Sequence, residues 1–254
     1  MKKVWTIALN TFNESLRKKT LYILLVVALI AIGSSRLFGF LAAEDELKML
    51  QDVSFATVEF FGALIAIFTA ITAVSGEIDK RTIYTLLSKP VTRKSFILGK
   101  FVGQSMIVLL NAVLMSLLFI GLLFYKGSPP SVEVLKALIL IYAQLLVVGA
   151  IALMIATFAT DAFNVIFSLF LFVVGHLTGY LSQVLDRIEN VVILSLGRVF
   201  YSIIPNYENF NVKDNVVLGL TISWRYVSMN LLYALVYIVI AILLAIYFFQ
   251  KREV

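Results

Sequence analysis

Residues 76–94 read GEIDKRTIYTLLSKPVTRK. Long apolar runs flank this stretch, Phe55–Ser75 before it and Phe96–Tyr125 after it. Its charges mark a chain that leaves an apolar phase, makes a short excursion and returns. Glu77–Leu87 is long enough for about three helical turns. Ile83, Leu86 and Leu87 fall on one face, and Glu77, Asp79, Lys80 and Arg81 crowd the start. Pro90 stops the helix, because it lacks an N–H and clashes with the preceding turn. Arg93 and Lys94 follow at the start of the next apolar run.

The rest of the chain fits an excursion out of a bilayer. Of 254 residues, 61% are hydrophobic and only 14% charged, and the mean hydropathy is +0.99. A soluble domain cannot keep that much apolar surface from water. Lipid resolves the conflict, provided the backbone satisfies itself in helices. A spanning helix needs roughly 20 mostly apolar residues. The stretches Leu21–Phe40, Phe55–Ser75, Phe96–Tyr125, Val134–Thr160, Ala162–Leu185 and Val227–Phe249 qualify. They predict an all-α membrane protein with six transmembrane helices. Val191–Leu196 and Val216–Trp224 are too short to cross and suit re-entrant or interfacial helices in an outer segment, 186–226.

Lysines and arginines orient the spans. With a cytoplasmic N-terminus, the basic clusters at Lys2–Lys3, Arg17–Lys19, Lys80–Arg81, Arg93–Lys94 and Lys251–Arg252 all fall inside. Most acids, Glu44, Glu46, Asp52, Glu133 and Asp214 among them, fall outside. Six spans then return both termini to the cytoplasm, and the plasma (inner) membrane is the expected location. This explains the net charge of +6 without nucleic acid as a partner. The N-terminus lacks the continuous apolar core of a cleavable signal. Instead Trp5, Ala8, Leu9, Phe12 and Leu16 recur at helical spacing against Lys2, Lys3, Asn13, Glu14 and Arg17. Residues 1–19 are therefore expected to form an amphipathic interfacial helix, an elbow leading into a permease domain over 20–254. Ser131 is placed to cap the fourth span and Asp161 the fifth.

Two polar residues within spans need a reason, since a charge at the bilayer centre costs about 2.5–3.5 kcal/mol. Glu59, placed about one turn inside the second span, either lines a path, pairs with Arg36 or stands in headgroup water. His176, the only histidine, lies deep in the fifth span, where a hydrogen bond to a neighbouring helix is the expected role. With no cysteine, it makes a poor metal site, and no metal or cofactor is expected. Gly175 with Gly179, and Gly99 with Gly103, have the small-xxx-small spacing that lets helices approach closely. Gln104, Asn111 and Gln144 are candidates for bonds between helices.

At EIDKRTIYTLLSKPVTRKSFILGK the chain resembles the ABC-2 type permease family, in particular the branch containing the permease of nitrous-oxide reductase maturation. The resemblance rests on Glu77, Arg81-Thr82, Leu86–Pro90 and Leu98-Gly99-Lys100. LNTFNESLRKKTLYILL (Leu9–Leu25) and IPNYENFN (Ile204–Asn211) extend it. It implies a type V exporter-like fold and a second permease subunit, identical or related, around a translocation path. It further implies two copies of a separate ATP-binding subunit, docking on a coupling segment (77–95) through Glu77, Asp79, Lys80, Arg81, Tyr84, Leu87 and Lys89. The chain has no G-x-x-x-x-G-K-[ST] loop of its own, so it is not expected to be an enzyme. Export is implied by the resemblance alone, and the ligands present give copper no support. Two other classes compete. A secondary transporter driven by an ion gradient would use Glu59 and His176. An intramembrane hydrolase would need a nucleophile brought to His176 from another span.

Overall fold

In a computed structural model of the chain, residues 2–39, 46–79, 92–185, 187 and 190–251 are described, without the side chains of 36–39 and 75–79. All regular structure among them is helical: α1 (Lys2–Ser15), α2 (Lys19–Gly39), α3 (Glu46–Asp79), α4 (Arg93–Tyr125), α5 (Val132–Ala156), α6 (Asp161–His176), α7 (Thr178–Leu185), α8 (Val191–Ile203), a 3-10 turn (Tyr207–Phe210), α9 (Lys213–Val217) and α10 (Trp224–Lys251).

Four helices, α3, α4, α5 and α10, are long and apolar enough to cross a membrane, and the bent pair α6–α7 makes a fifth if counted as one span. α2 contributes a shorter apolar stretch, Lys19–Ser35. The helices sort into layers by how much of each is covered. In their most apolar windows α3 and α5 are each 72% buried, against 39% for α4 and 33% for α10. The first two therefore form the centre, and α5, apolar all round, suits that place. α2, α4 and α6 pack on α3, and α10 packs on α5. The uncovered face of α10, including Leu232, Leu235, Ile240 and Leu243, belongs against lipid.

The short connections follow local rules. Ser131 caps α5 by accepting from the Val134 N–H. Gly127 and Gly219, at φ 72° and 69°, end α4 and α9 in the left-handed region that glycine enters freely. At the α5–α6 turn the cap is Thr160, without a side-chain hydrogen bond. Asp161 is the first helical residue, and its charge faces the helix's positive end.

Three departures from the hydropathy reading shape the site. First, α3 begins at Glu46 rather than Phe55. The polar residues of ELKMLQDVS lengthen the helix without lengthening its apolar run. Second, the predicted span Ala162–Leu185 is not one straight rod, for α6 and α7 meet at 70° across Leu177. α6 alone is 16 residues, about 24 Å, short of a roughly 30 Å hydrocarbon core. The 3-10 turn packs against α6 and α5, and α9 against α3 and α5. Third, α10 starts at Trp224. Lys136 on α5 ties its approach, donating to the Ile222 carbonyl (2.6 Å) and to Glu133 (2.9 Å), which accepts in turn from the Ile222 N–H (2.9 Å).

Candidate functional site

The densest buried polar group lies where α3, α5, α6 and α9 converge. Glu59 is 4% exposed. It lies about one turn past Phe55, where the apolar run of α3 begins, and the polar first turns of α3 continue the helix beyond that run. Its Oε1 accepts from Gln144 Nε2 on α5 (2.8 Å) and lies 2.6 Å from His176 Nε2, at the end of α6. Its Oε2 pairs with the Lys213 ammonium, the first residue of α9.

The hydrogen count of this group is fixed by its partners. His176 Nδ1 is 2.8 Å from the Phe172 carbonyl, an acceptor only, so Nδ1 carries a hydrogen. The contact between His176 Nε2 and Glu59 Oε1 then needs one hydrogen between them. That pair shares a single proton, whichever side holds it, and Lys213 adds a second positive charge. The cluster as a whole has one more positive charge than negative. Gln144 Nε2 also lies 3.0 Å from His176 Nε2, where it can donate only when the proton sits on Glu59. Gln144 Oε1 is buried and has no partner.

The surroundings hold the 3-10 turn and the residues before it against this cluster. Tyr207 is 1% exposed, and its ring centroid lies 5.4 Å from that of His176. Tyr207 occupies the space that a side chain at Gly175 would need, since a Cβ there would fall 2.3 Å from the Tyr207 ring. Asn206 Oδ1 accepts from Thr178 Oγ1 at 2.6 Å, and the Asn206 N–H donates to the Tyr233 hydroxyl at 2.8 Å. Among the described residues no three of His, Cys, Asp or Glu come together as metal ligands. Glu59 and His176 offer two donors, and Lys213 holds the remaining carboxylate oxygen.

The family model described as "ABC-2 family transporter protein" matches residues 5–254. The chain belongs to the ABC-2 transporter family. A 122-residue stretch is 36% identical to the probable ABC transporter permease protein NosY of Stutzerimonas stutzeri. A 122-residue stretch is likewise 33% identical to the protein of that name from Pseudomonas aeruginosa strain PAO1. Each match covers 45% of this chain and 43% of the relative, so the chain spans under half the length of the curated relatives it matches. Its multiple apolar helices are those of a multi-pass membrane protein of a permease family.

In this ABC-2 protein Glu77 and Asp79 lie on the last turn of α3, with side chains outside the description. Lys80, Arg81, Tyr84, Leu87 and Lys89 lie outside the described residues altogether. Next to them, Arg93 opens α4 and donates to the last carbonyls of α10, those of Phe249 (2.6 Å) and Gln250 (3.2 Å). Gly99 and Gly103 face α1. A Cβ at Gly103 would lie 2.5 Å from the Ala8 carbonyl, and one at Gly99 2.6 Å from Ile7 Cβ. Ala8, Thr11 and Ser15 form the buried face of α1, while Trp5 and Leu9 turn outward. Gly179 has open space around it.

His176 does bond across to neighbouring helices, at Glu59 and Gln144. Lys213 was not singled out from the sequence. It stands among other outer charges, and its pairing with Glu59 crosses 154 positions, with no local signal. The Arg93 cap on α10 was missed for the same reason.

Proposed function

We propose that this chain is the membrane permease subunit of an ABC-2 type transporter, moving its substrate outward. A separate ATP-binding subunit drives it by docking on the Glu77–Leu87 segment. Two permease subunits, identical or related, and two ATP-binding subunits make the complex. α2 and the α6–α7 pair complete six spans in the inner membrane, both termini are cytoplasmic, and α1 is the interfacial elbow. Hydrolysis belongs to the partner, since the chain carries no phosphate-binding loop.

The observation that supports this reading best is the continuity of α3. One unbroken helix of 34 residues runs from Glu46 to Asp79, through the packed centre and out to the docking segment. A push on Glu77–Leu87 therefore acts on the element that α2, α4, α5 and α6 all touch. The test is a double reversal, Glu77→Lys with Arg81→Glu, in the complex with its ATP-binding subunit. The permease should still accumulate in the membrane, while transport-coupled hydrolysis falls at least tenfold. Unaltered coupling would refute the docking role.

One observation favours a second reading. A carboxylate sharing a proton with a histidine inside a span is what an ion-gradient-driven transporter would use. Transport that follows the proton gradient and survives ATP depletion would select it.

A further inference from the structure

We infer that Glu59, His176 and Lys213 form an outer latch, an ionic lock that holds the 3-10 turn and α9 over the bundle. It must part for the path to open outward. The inference rests on the permease reading.

Three observations carry it. The first is what the latch holds. α6 turns aside at His176, where the Tyr207 ring lies beside it, and α9 rests on α3 and α5. The 3-10 turn is held by van der Waals contact and neutral hydrogen bonds, through Gly175, Thr178 and Tyr233. The ionic tie of this segment to the central helix is Lys213 to Glu59. The second is position. His176 is the last residue of α6, and the 70° bend follows it. A change at the cluster therefore acts directly on the break.

The third is Gln144. Its Oε1 is fully buried without a partner, so the amide is tied at its nitrogen end alone. A second arrangement lies one rotation away. Turning the amide by 180° puts the oxygen where the nitrogen is, 3.0 Å from His176 Nε2, ready to accept its hydrogen. The same turn places that oxygen where the nitrogen now donates to Glu59. A carboxylate facing an amide oxygen is repelled. Bonding His176 to Gln144 and releasing Glu59 are thus one event, and because the turned NH2 takes the partnerless position, it follows only when Glu59 has left.

The chain has no cysteine, so a single introduced thiol reports cleanly. Val216→Cys, on the buried face of α9 at 6% exposure, is the reporter, since the valine side chain makes none of the hydrogen bonds that hold the segment. Leu218→Cys, 64% exposed beside α9, is the reference. Membrane-impermeant maleimide is applied to the outer face of vesicles, and the ratio of the two labelling rates is measured. Lys213→Met should raise the ratio about tenfold, as should Glu59→Gln, while Lys213→Arg keeps it near the parent value. Lys213 lies on a short outer helix, so its variants carry the test alone if Glu59→Gln fails to accumulate. With the ATP-binding subunit present, adding ATP should raise the parent's ratio.

A ratio unmoved by Lys213→Met overturns the latch. So does a ratio that rises in Lys213→Met while the parent stays closed under ATP in a complex that hydrolyses it, which would make the cluster a fixed staple. The measurement without ATP needs neither partner nor substrate. A failed docking test therefore removes the docking role and leaves the labelling result standing, and the reverse also holds.

Discussion

At Glu59 three helices and an outer segment meet through charge, whereas at Gly99 and Gly103 two helices meet with almost nothing between them. The first junction concentrates its energy in a few directional bonds that can be exchanged for others. The second spreads it over many van der Waals contacts that are lost together if the backbones part. In lipid both are sound ways to join helices, since no hydrophobic effect drives one apolar rod onto another. Only the first has a ready alternative, through the Gln144 amide. The outer end of this molecule therefore has the chemistry of a moving part and the α1–α4 seam that of a fixed one.

The largest effect is expected from Glu59→Ala. It leaves Lys213 and the half-buried His176 without the carboxylate that both contact. Breaking a buried pair in this way costs about 3–5 kcal/mol. Thermal unfolding of the purified chain in detergent should show that loss, and a transition unchanged from the parent would mean that the charges are solvated. The seam should break differently. Gly103→Leu drives a side chain toward the Ala8 carbonyl, a backbone atom that cannot rotate aside. Overpacking of this kind costs about 1–3 kcal/mol, and it should fall on α1 alone. Limited proteolysis should then cut near residues 16–18 while the core stays resistant. If α1 remains protected, the close approach is not what holds it.

Arg93→Ala probes a contact between these two types, a charged side chain donating to the final carbonyls of α10. Such a cap is worth about 1 kcal/mol. Hydrogen exchange should quicken over the last turn of α10 and leave residues near Tyr233 as slow as before. Uniform exchange along the helix would show that Arg93 contributes nothing there.

How much of this was legible in the sequence depended on the range of the signal. α4, α5 and α10 are long apolar runs between polar ends, and hydropathy finds them because lipid acts on each residue separately. Ser131 was legible because its partner is three residues away. The bend at Leu177 was not. Apolar residues continue across FVVGHLTGYLSQVL, and the GHLTG cluster within it is as compatible with an unbroken helix. The start of α3 was hidden by polar residues that form helix as readily as loop. Half of the cluster was legible, since Glu59 and His176 are anomalous where they stand. Gln144 is legible as a candidate for bonds between helices, which it makes to Glu59 and His176, but its partners are not. Lys213 looked like any outer lysine, because its meaning comes from a fold that brings α9 to α3.

The smallest expected change, at Gly179, comes from one of two glycines that the sequence treats alike. Gly175 and Gly179 share one small-xxx-small motif, yet Gly175 lies against Tyr207 and the Pro205 carbonyl, and Gly179 against nothing. Gly175→Ala should destabilise by about 1–3 kcal/mol, because the Tyr207 ring must shift and the carbonyl at 2.8 Å stands behind it. Gly179→Ala meets no such wall. Within α7 it removes backbone freedom from the unfolded chain and should stabilise by about 0.5 kcal/mol. Paired melting curves decide the matter through the sign of the difference. If both substitutions destabilise alike, something covers Gly179 in the membrane, and a second permease subunit is the first candidate to test, by cross-linking from that position.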